Sequence, residues 1–168
     1  MQSLVNYIKG DELPSPTTPI EIAEGILWFL LTMPIALDHI NIYLLEDNDG
    51  WVLIDTGIAD PVSIETWEII LKEYTTRRPI KKIIGTHFHP DHVGLAGWLI
   101  ERTDAEFWMS QIEWLSARQA YLDAEEISLV KMRQFDAGAG LGADQKNLYH
   151  AIGNDYRDMV SPVPSVYN

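Results

Sequence analysis

The sequence of 168 residues predicts an α/β fold built from layers of sheet and helix. β-Branched apolar stretches alternate with segments whose apolar residues recur at helical spacing, the pattern of layered α/β domains. A composition of 46% hydrophobic and 22% charged residues is that of a globular chain able to bury a core. We therefore expect a single domain over residues 1–168, β-rich over residues 1–110 and helical over residues 111–160.

The first part of the chain is predicted to consist of strands. Residues 11–19 carry three prolines and are typical of an extended lead-in. Apolar, β-branched stretches then predict strands at residues 20–32, 40–46 and 51–55. The segment 47–50, Asp-Asn-Asp-Gly, favours a hairpin between the last two strands because Asp-Gly pairs suit tight turns.

Helices and strands alternate in the next part. A helix is predicted at residues 62–76, with Pro61 in its first turn. Its apolar stripe consists of Ile64, Trp67, Ile70 and Leu71. A strand at residues 80–85, a helix at residues 92–102 and a strand at residues 105–109 follow.

Helical spacing returns from about residue 111. Its apolar positions are Trp114, Leu115, Tyr121, Leu122, Ile127, Leu129, Val130 and Met132. Such a stripe usually packs on its own domain, and we favour that interpretation over a cover above a substrate cleft.

A histidine cluster is the most informative feature for function. The chain has five histidines, and three of them lie in the segment Thr-His-Phe-His-Pro-Asp-His-Val-Gly at residues 86–94. Imidazole and carboxylate ligands at this density suit Zn²⁺ and related metals. If the strand continues past Thr86, side chains at positions 87 and 89 point the same way, because the strand period is two. Gly94 leaves room for a close backbone approach.

The cluster therefore predicts two neighbouring metal positions. His87 and His89 are expected on one metal ion, and Asp91 and His92 on a second ion a few ångströms away. The chain has no cysteine, which excludes thiolate ligands and disulfides.

The motif His-x-His-x-Asp-His after a strand resembles that of the metallo-β-lactamase fold superfamily of binuclear metal hydrolases. The segment at residues 51–57 ends in Asp-Thr-Gly and resembles a second motif of that superfamily. Residues 37–45 are similar to an early strand of glyoxalase II-like members. The resemblance covers roughly residues 20–110.

The resemblance implies a fold and an activity. The fold would be the amino-terminal half of an αββα sandwich, followed by a helical segment after about residue 111. His87 and His89 would bind the first metal, Asp91 and His92 the second, and Asp55 would support the metal loop from behind. Two zinc ions are expected in the complete protein, with iron or manganese as alternatives. A metal-bound hydroxide would hydrolyse an ester, thioester or lactone, and Asp91 would be the catalytic residue that carries the proton.

The chain also departs from the family pattern. A third histidine for the first metal, a bridging aspartate and a last histidine are missing, and His150, the only later histidine, follows Tyr149 instead of glycine. We expect an amino-terminal piece of a longer protein that binds metal weakly or not at all and is inactive alone. The alternatives are an iron-dependent, persulfide dioxygenase-like oxidoreductase and, if 168 residues is the natural length, a non-catalytic interaction module.

Charge and hydropathy argue against two classes of partner, nucleic acids and membranes. A net charge of −13, from 25 acidic and 12 basic residues, argues against nucleic acid. The longest apolar run, residues 26–37, is too short to span a bilayer. We expect a cytoplasmic protein with a small-molecule substrate and no membrane partner. A hydrogen-bonded structural role for His39 is favoured over substrate contact.

The resemblance further implies an unpaired sheet. Strands from the first half of the sandwich would present apolar side chains with no second sheet against them. Either the helices after residue 111 fold over this face, or a second copy covers it. We expect a homodimer, because two-fold pairing would restore the missing layer.

Overall fold

A computed structural model describes residues 12–33, 37–123, 134, 138–140, 156–165 and 168. Within these residues the chain forms one mixed sheet with helices, so the predicted α/β fold class is confirmed. The strands are β1 (Ile20–Ala23), β2 (Ile26–Thr32), β3 (His39–Asp47), β4 (Gly50–Ile54), β5 (Ile80–Ile84) and β6 (Glu106–Trp108). The helices are α1 (Pro61–Tyr74), α2 (Pro90–Val93), α3 (Ala96–Thr103) and α4 (Gln111–Leu122).

The sheet follows the order of the chain, from β1 to β6. Strands β1 to β4 form an antiparallel meander, whereas β4, β5 and β6 are parallel neighbours. A parallel pair needs a crossover connection, which α1 supplies between β4 and β5, and α2 with α3 between β5 and β6. The carboxyl ends of β4 and β5 therefore meet at one edge of the sheet.

Two predicted elements are each divided in the structure. The strand predicted at residues 20–32 is the hairpin of β1 and β2, which turns at Gly25 with φ of 72°. Apolar residues predominate in both arms, so the hydrophobic pattern did not reveal the turn. The helix predicted at residues 92–102 is divided into α2 and α3, because the N–H of Leu95 donates to the carbonyl of Gly57 at 3.1 Å instead of continuing the helical ladder.

The hairpin predicted between β3 and β4 is confirmed, with a shifted turn. Asp47 pairs with Gly50, so Asn48 and Asp49 form the loop. Asn48 takes the positive φ of 44° that tight hairpin turns require.

Helix α1 agrees with its predicted apolar stripe. Helix α1 begins with Pro61, and the Asp60 carboxylate caps it by accepting from the N–H of Ser63 at 2.7 Å. Trp67 and Ile70 are fully buried against the sheet. The start of the predicted late helix is confirmed by α4, whereas the stripe positions from Ile127 to Met132 and His150 lie outside the described residues. In α4, Leu115 and Leu122 of the predicted stripe are exposed, because this helix buries Ala117 instead. No described helix combines the length and the apolar character needed to cross a membrane.

The two faces of the sheet differ. Alternate side chains on one face are fully buried beneath α1 and α3, including Phe29, Ile42, Leu44, Leu53 and Ile83. The opposite face carries a row of register neighbours across five strands, which we call the open row: Trp28, Tyr43, Ile54, Ile84 and Trp108. These five side chains are half-buried or exposed. The described residues thus provide one buried and one open face.

Candidate metal centre

The histidine motif lies at the sheet edge where β4 and β5 end. Parallel pairing places Ile54 beside Ile84, and the N–H of Asp55 donates to the carbonyl of Ile84 at 2.9 Å. The Asp-Thr-Gly loop after β4 and the metal loop after β5, residues 86–92, are neighbours for this reason.

His87 and His89 meet as a pair. The Nε2 atom of His87 lies 3.1 Å from the Nδ1 atom of His89. Two nitrogen ligands of one tetrahedral zinc ion, each about 2.0 Å from the metal, lie about 3.3 Å apart. The spacing of the pair therefore suits two positions on one ion. Burial lowers the pKa of His87, and the nearby His92 and His89 side chains lower it further, which favours the neutral imidazole that metals bind.

Asp91 and His92 form a second pair. The Oδ2 atom of Asp91 lies 3.2 Å from Nε2 of His92. Burial by itself lowers the pKa of His92, but hydrogen bonds to Asp55 and Asp91 outweigh burial and raise it to about 9. The hydrogen bond from His92 lowers the pKa of Asp91, against the opposing effect of burial. The His87 and His92 rings lie 3.9 Å apart between centroids, so the two pairs are adjacent.

Asp55 holds the loop from the side of the sheet. Its buried carboxylate accepts the N–H of Thr86 at 2.8 Å, the hydroxyl of Thr86 at 2.9 Å and Nδ1–H of His92 at 2.8 Å. A histidine that donates one ring nitrogen to a carboxylate presents the other nitrogen to a metal. The contact with Asp55 leaves Nε2 of His92 facing Asp91.

Two threonines that were not predicted from the sequence also belong to the centre. Besides its bonds to Asp55, Thr86 has its hydroxyl 3.1 Å from Nδ1 of His87. Thr56 donates its backbone N–H to the carbonyl of His92 at 2.9 Å and accepts the N–H of Leu95 on its hydroxyl at 3.1 Å. Thr56 could have been predicted from its position inside the Asp-Thr-Gly motif. Thr86 could not, because one threonine next to the first histidine forms no recognisable sequence pattern.

The residues that follow the metal loop pack closely against the Asp-Thr-Gly loop. A Cβ atom on Gly94 would lie 2.3 Å from the carbonyl oxygen of Pro90 and 2.7 Å from that of Gly57. Trp67 of α1 donates Nε1–H to the carbonyl of Thr56 at 2.8 Å. The prediction that Gly94 allows a close backbone approach is confirmed.

The donors fit part of a metal site. In the portion of the chain that the structure describes, no three His, Asp or Glu side chains converge to hold one ion. The motif supplies two adjacent pairs with the imidazole and carboxylate donors that zinc prefers. Each pair therefore fits two ligand positions of one ion and leaves that ion's other positions to further groups.

His39 lies at the same edge of the sheet but makes a different contact. Strand β3 begins there because it runs antiparallel to β4. The ring Nδ1 of His39 pairs with the carboxylate of Asp38. This contact agrees with the hydrogen-bonded role favoured from the sequence, and among the described residues it does not join His39 to the motif.

A cleft of about 570 Å³ lies elsewhere, beside α3 and β6. Its lining includes Gly97, Phe107, Arg118 and Pro162, and no motif histidine or Asp91. The cleft is therefore separate from the candidate centre.

Solved structures with the same fold are known. A beta-lactamase domain protein from Burkholderia ambifaria has 30% sequence identity and a TM-score of 0.75, over 96% of this chain and 47% of that one. A metallo-beta-lactamase family protein from Thermus thermophilus has 23% identity and a TM-score of 0.65, over 88% of this chain and 46% of that one, a likeness of fold alone. This chain spans about half the length of these two proteins.

No curated protein sequence matches the chain. The family model of the Metallo-beta-lactamase superfamily matches residues 35–153, which include the Asp-Thr-Gly loop and the whole metal loop. The chain therefore belongs to the metallo-β-lactamase superfamily, whose members are generally metallo-hydrolases.

Proposed function

We propose that the complete protein is a metal-dependent hydrolase that cleaves an ester, thioester or lactone. The observation that carries the proposal is the adjacency of two donor pairs, with 3.9 Å between the centroids of the His87 and His92 rings. Membership of a superfamily of metallo-hydrolases supports the same reaction class. His87 and His89 would hold the first ion and Asp91 and His92 the second. Zinc is the expected metal, at two ions per complete protein, with iron or manganese as alternatives.

The proposed mechanism assigns separate tasks to the protein groups. His87, His89, Asp91 and His92 would hold the metal ions, whose chemistry when bound would be to supply hydroxide near neutral pH and to polarise a carbonyl group. Asp91 would accept a hydrogen bond from the attacking water, take its proton and deliver it to the departing oxygen or sulfur. A lowered pKa keeps this carboxyl ionised before the reaction. Asp55 would hold the Nδ1 proton of His92. The raised pKa of His92 also leaves a proton on Nε2 at neutral pH, and metal binding at Nε2 would release that proton. Thr86 fixes the distance between Asp55 and the metal loop.

The proposal includes a small-molecule substrate and a cytoplasmic location. A net charge of −13 disfavours nucleic acid as substrate, because acidic surfaces repel phosphate backbones. The absence of cysteine is compatible with a reducing compartment but does not require one.

The test compares the product of the complete gene with the 168-residue chain. A panel of thioesters and lactones is assayed before and after chelation, with oxygen consumption recorded in parallel. We expect the complete protein to hydrolyse at least one class and to lose activity on chelation. Asp91→Asn should reduce kcat by about 100-fold or more, because proton transfer by a positioned group typically contributes at least that factor. Asp49→Asn, an exposed hairpin carboxylate, is the matched control and should leave kcat unchanged.

Other outcomes would contradict parts of the proposal. Metal-dependent oxygen consumption without hydrolysis would show that the complete protein is an oxidoreductase and not a hydrolase. Activity of Asp91→Asn equal to that of Asp49→Asn would remove Asp91 from proton transfer. We expect the 168-residue chain to be inactive alone, and robust hydrolysis by it would show that the four motif ligands suffice.

A further inference from the structure

Phe88 separates the two paired histidines, and side chains from distant segments bind both of its backbone groups. Its N–H donates to Oε2 of Glu113 at 2.9 Å, and its carbonyl accepts the hydroxyl of Tyr156 at 2.7 Å. The N–H belongs to the peptide unit shared with His87, and the carbonyl to the unit shared with His89. Because each peptide unit is planar, the two bonds fix both planes that separate these histidines.

We propose that Glu113 and Tyr156 are positioning residues that orient His87 and His89 for one metal ion. The inference rests on the proposed metal centre. Neither residue belongs to the histidine motif or touches the ring nitrogens of the pair. They act through the backbone of Phe88, from 25 and 68 residues away in sequence.

Glu113 reaches the metal loop from the first turn of α4. The hydroxyl of Ser110 caps this helix by accepting the N–H of Glu113 at 3.3 Å. A carboxylate in the first turn is favoured by the partial positive charge of the helix N-terminus. The helix thus presents a carboxylate oxygen at a fixed point, and Phe88 N–H supplies the donor.

Tyr156 bonds the other backbone group of Phe88, its carbonyl, and the Tyr156 ring centroid lies 6.3 Å from that of Phe88. Its side chain is buried, and burial raises the pKa of the phenol, so the hydroxyl remains a donor. The segment that follows is bound to the loops of the centre. The carbonyl of Met159 accepts the N–H of Ala59 at 2.9 Å, and the N–H of Ser161 donates to the carbonyl of Gly94 at 2.6 Å.

The paired histidines need this support because His89 is exposed and His87 only half-buried. Two ligands serve one ion only while their donor atoms keep a spacing near the observed 3.1 Å. A rotation of either peptide plane would carry one ring away from the other. Groups that orient metal ligands in this way typically change metal affinity by about 10-fold to 100-fold.

The test uses the 168-residue chain and Co²⁺ as the probe, followed by visible absorption. Tyr156→Phe removes one hydroxyl, and Glu113→Ala removes the carboxylate. Both should weaken Co²⁺ binding by about tenfold or more. Glu113→Gln should restore most of the affinity, because its amide oxygen still accepts the N–H of Phe88.

Each variant has a control with the same chemistry elsewhere. Tyr74→Phe also removes a phenol that donates to a backbone carbonyl, that of Thr17 at 3.3 Å. Glu21→Ala also removes a carboxylate that accepts a backbone N–H, that of Gly25 at 3.0 Å. Both controls should bind Co²⁺ as the unmodified chain does. Equal losses in the controls and in the test variants would overturn the proposal.

A second readout needs no metal. Amide hydrogen exchange at Phe88 and the ring ¹⁵N shifts of His87 and His89 are measured in the metal-free chain. Glu113→Ala should accelerate exchange at Phe88 about tenfold and move both ring shifts, and Glu113→Gln should do neither. If the unmodified chain binds no Co²⁺, two ligands per ion are too few to hold the metal in this chain, and the ring shifts then decide the proposal. Unchanged ring shifts in Glu113→Ala would overturn the positioning role. If Tyr156→Phe does not fold, the Glu113 pair of variants decides.

Discussion

Asp55 connects the end of strand β4 to the candidate centre through hydrogen bonds to Thr86 and His92. Its φ of 60° lies in the left-handed region that few residues other than glycine adopt. From this position the carboxylate, in a residue only 5% exposed, accepts two donors of Thr86 and one of His92. A buried carboxylate is tolerated only while its donors stay in place, so Asp55 links the end of β4 firmly to the metal loop.

Asp55→Asn should therefore destabilise the chain by about 2–3 kcal/mol. The substitution removes charge-assisted hydrogen bonds. It also points the new NH₂ group at one of the three groups that donate to Asp55, and two donors cannot bond each other. Urea unfolding measures the difference. Asp60→Asn is the matched control, because asparagine caps helices about as well as aspartate, and it should change the free energy of unfolding by less than about 0.5 kcal/mol. Equal effects of the two substitutions would contradict the role of Asp55.

The sequence contained the two donor pairs proposed as metal ligands but not the bonds that support them. The six-residue motif is local, so its spacing predicted that His87 and His89 would meet. The predicted reason was wrong, because β5 ends at Ile84 and the chain bends at residues 87–89 instead of continuing as a strand. The contacts of Phe88 with Glu113 and Tyr156 join segments 25 and 68 residues apart. No local pattern marks such partners, because the fold has to bring them together first.

At the scale of elements, long-range hydrogen bonds determine some helix boundaries, and these are the boundaries that the apolar periodicity of the sequence predicted wrongly. Helices α2 and α3 share one apolar pattern, yet the bond from Leu95 N–H to Gly57 ends the ladder between them. The carbonyl of Gly94 is taken by Ser161 from the end of the chain. The positions and types of most other elements were predictable, because most carry their own apolar stripe or β-branched run.

Gly94→Ala tests this junction. The added methyl group would lie within 3.0 Å of three backbone carbonyl oxygens, those of Pro90, Gly57 and Met159. Backbone atoms cannot move aside as a flexible side chain does, so we expect a loss of about 3 kcal/mol and a lower Tm. Gly138→Ala meets no atom within 4 Å and should change stability by at most about 1 kcal/mol. A Tm for Gly94→Ala equal to that of Gly138→Ala would refute the close contact.

At the scale of the molecule, the open row is an apolar surface that none of the helices α1 to α3 covers. Its five side chains form a continuous apolar band from β2 to β6, whereas α1 and α3 pack on the other face of the sheet. Helix α4, the described part of the predicted cover, donates side-chain hydrogen bonds to the carbonyls of Pro164 and Val163 near the end of the chain. An apolar band of this extent usually marks a surface that something covers.

We propose that a second copy of the chain covers the open row. A two-fold contact pairs the same band with itself and restores a two-sheet arrangement. Ile84→Glu puts a charge at the centre of the band and should convert dimer to monomer, as measured by light scattering of dilute samples. Ile69→Glu, on the exposed side of α1, is the control and should remain dimeric. Because each copy carries a net charge of −13, added salt should strengthen the dimer by screening repulsion. An unmodified chain that is monomeric and binds no apolar dye would contradict the proposal, since the band would then be covered from within the same chain.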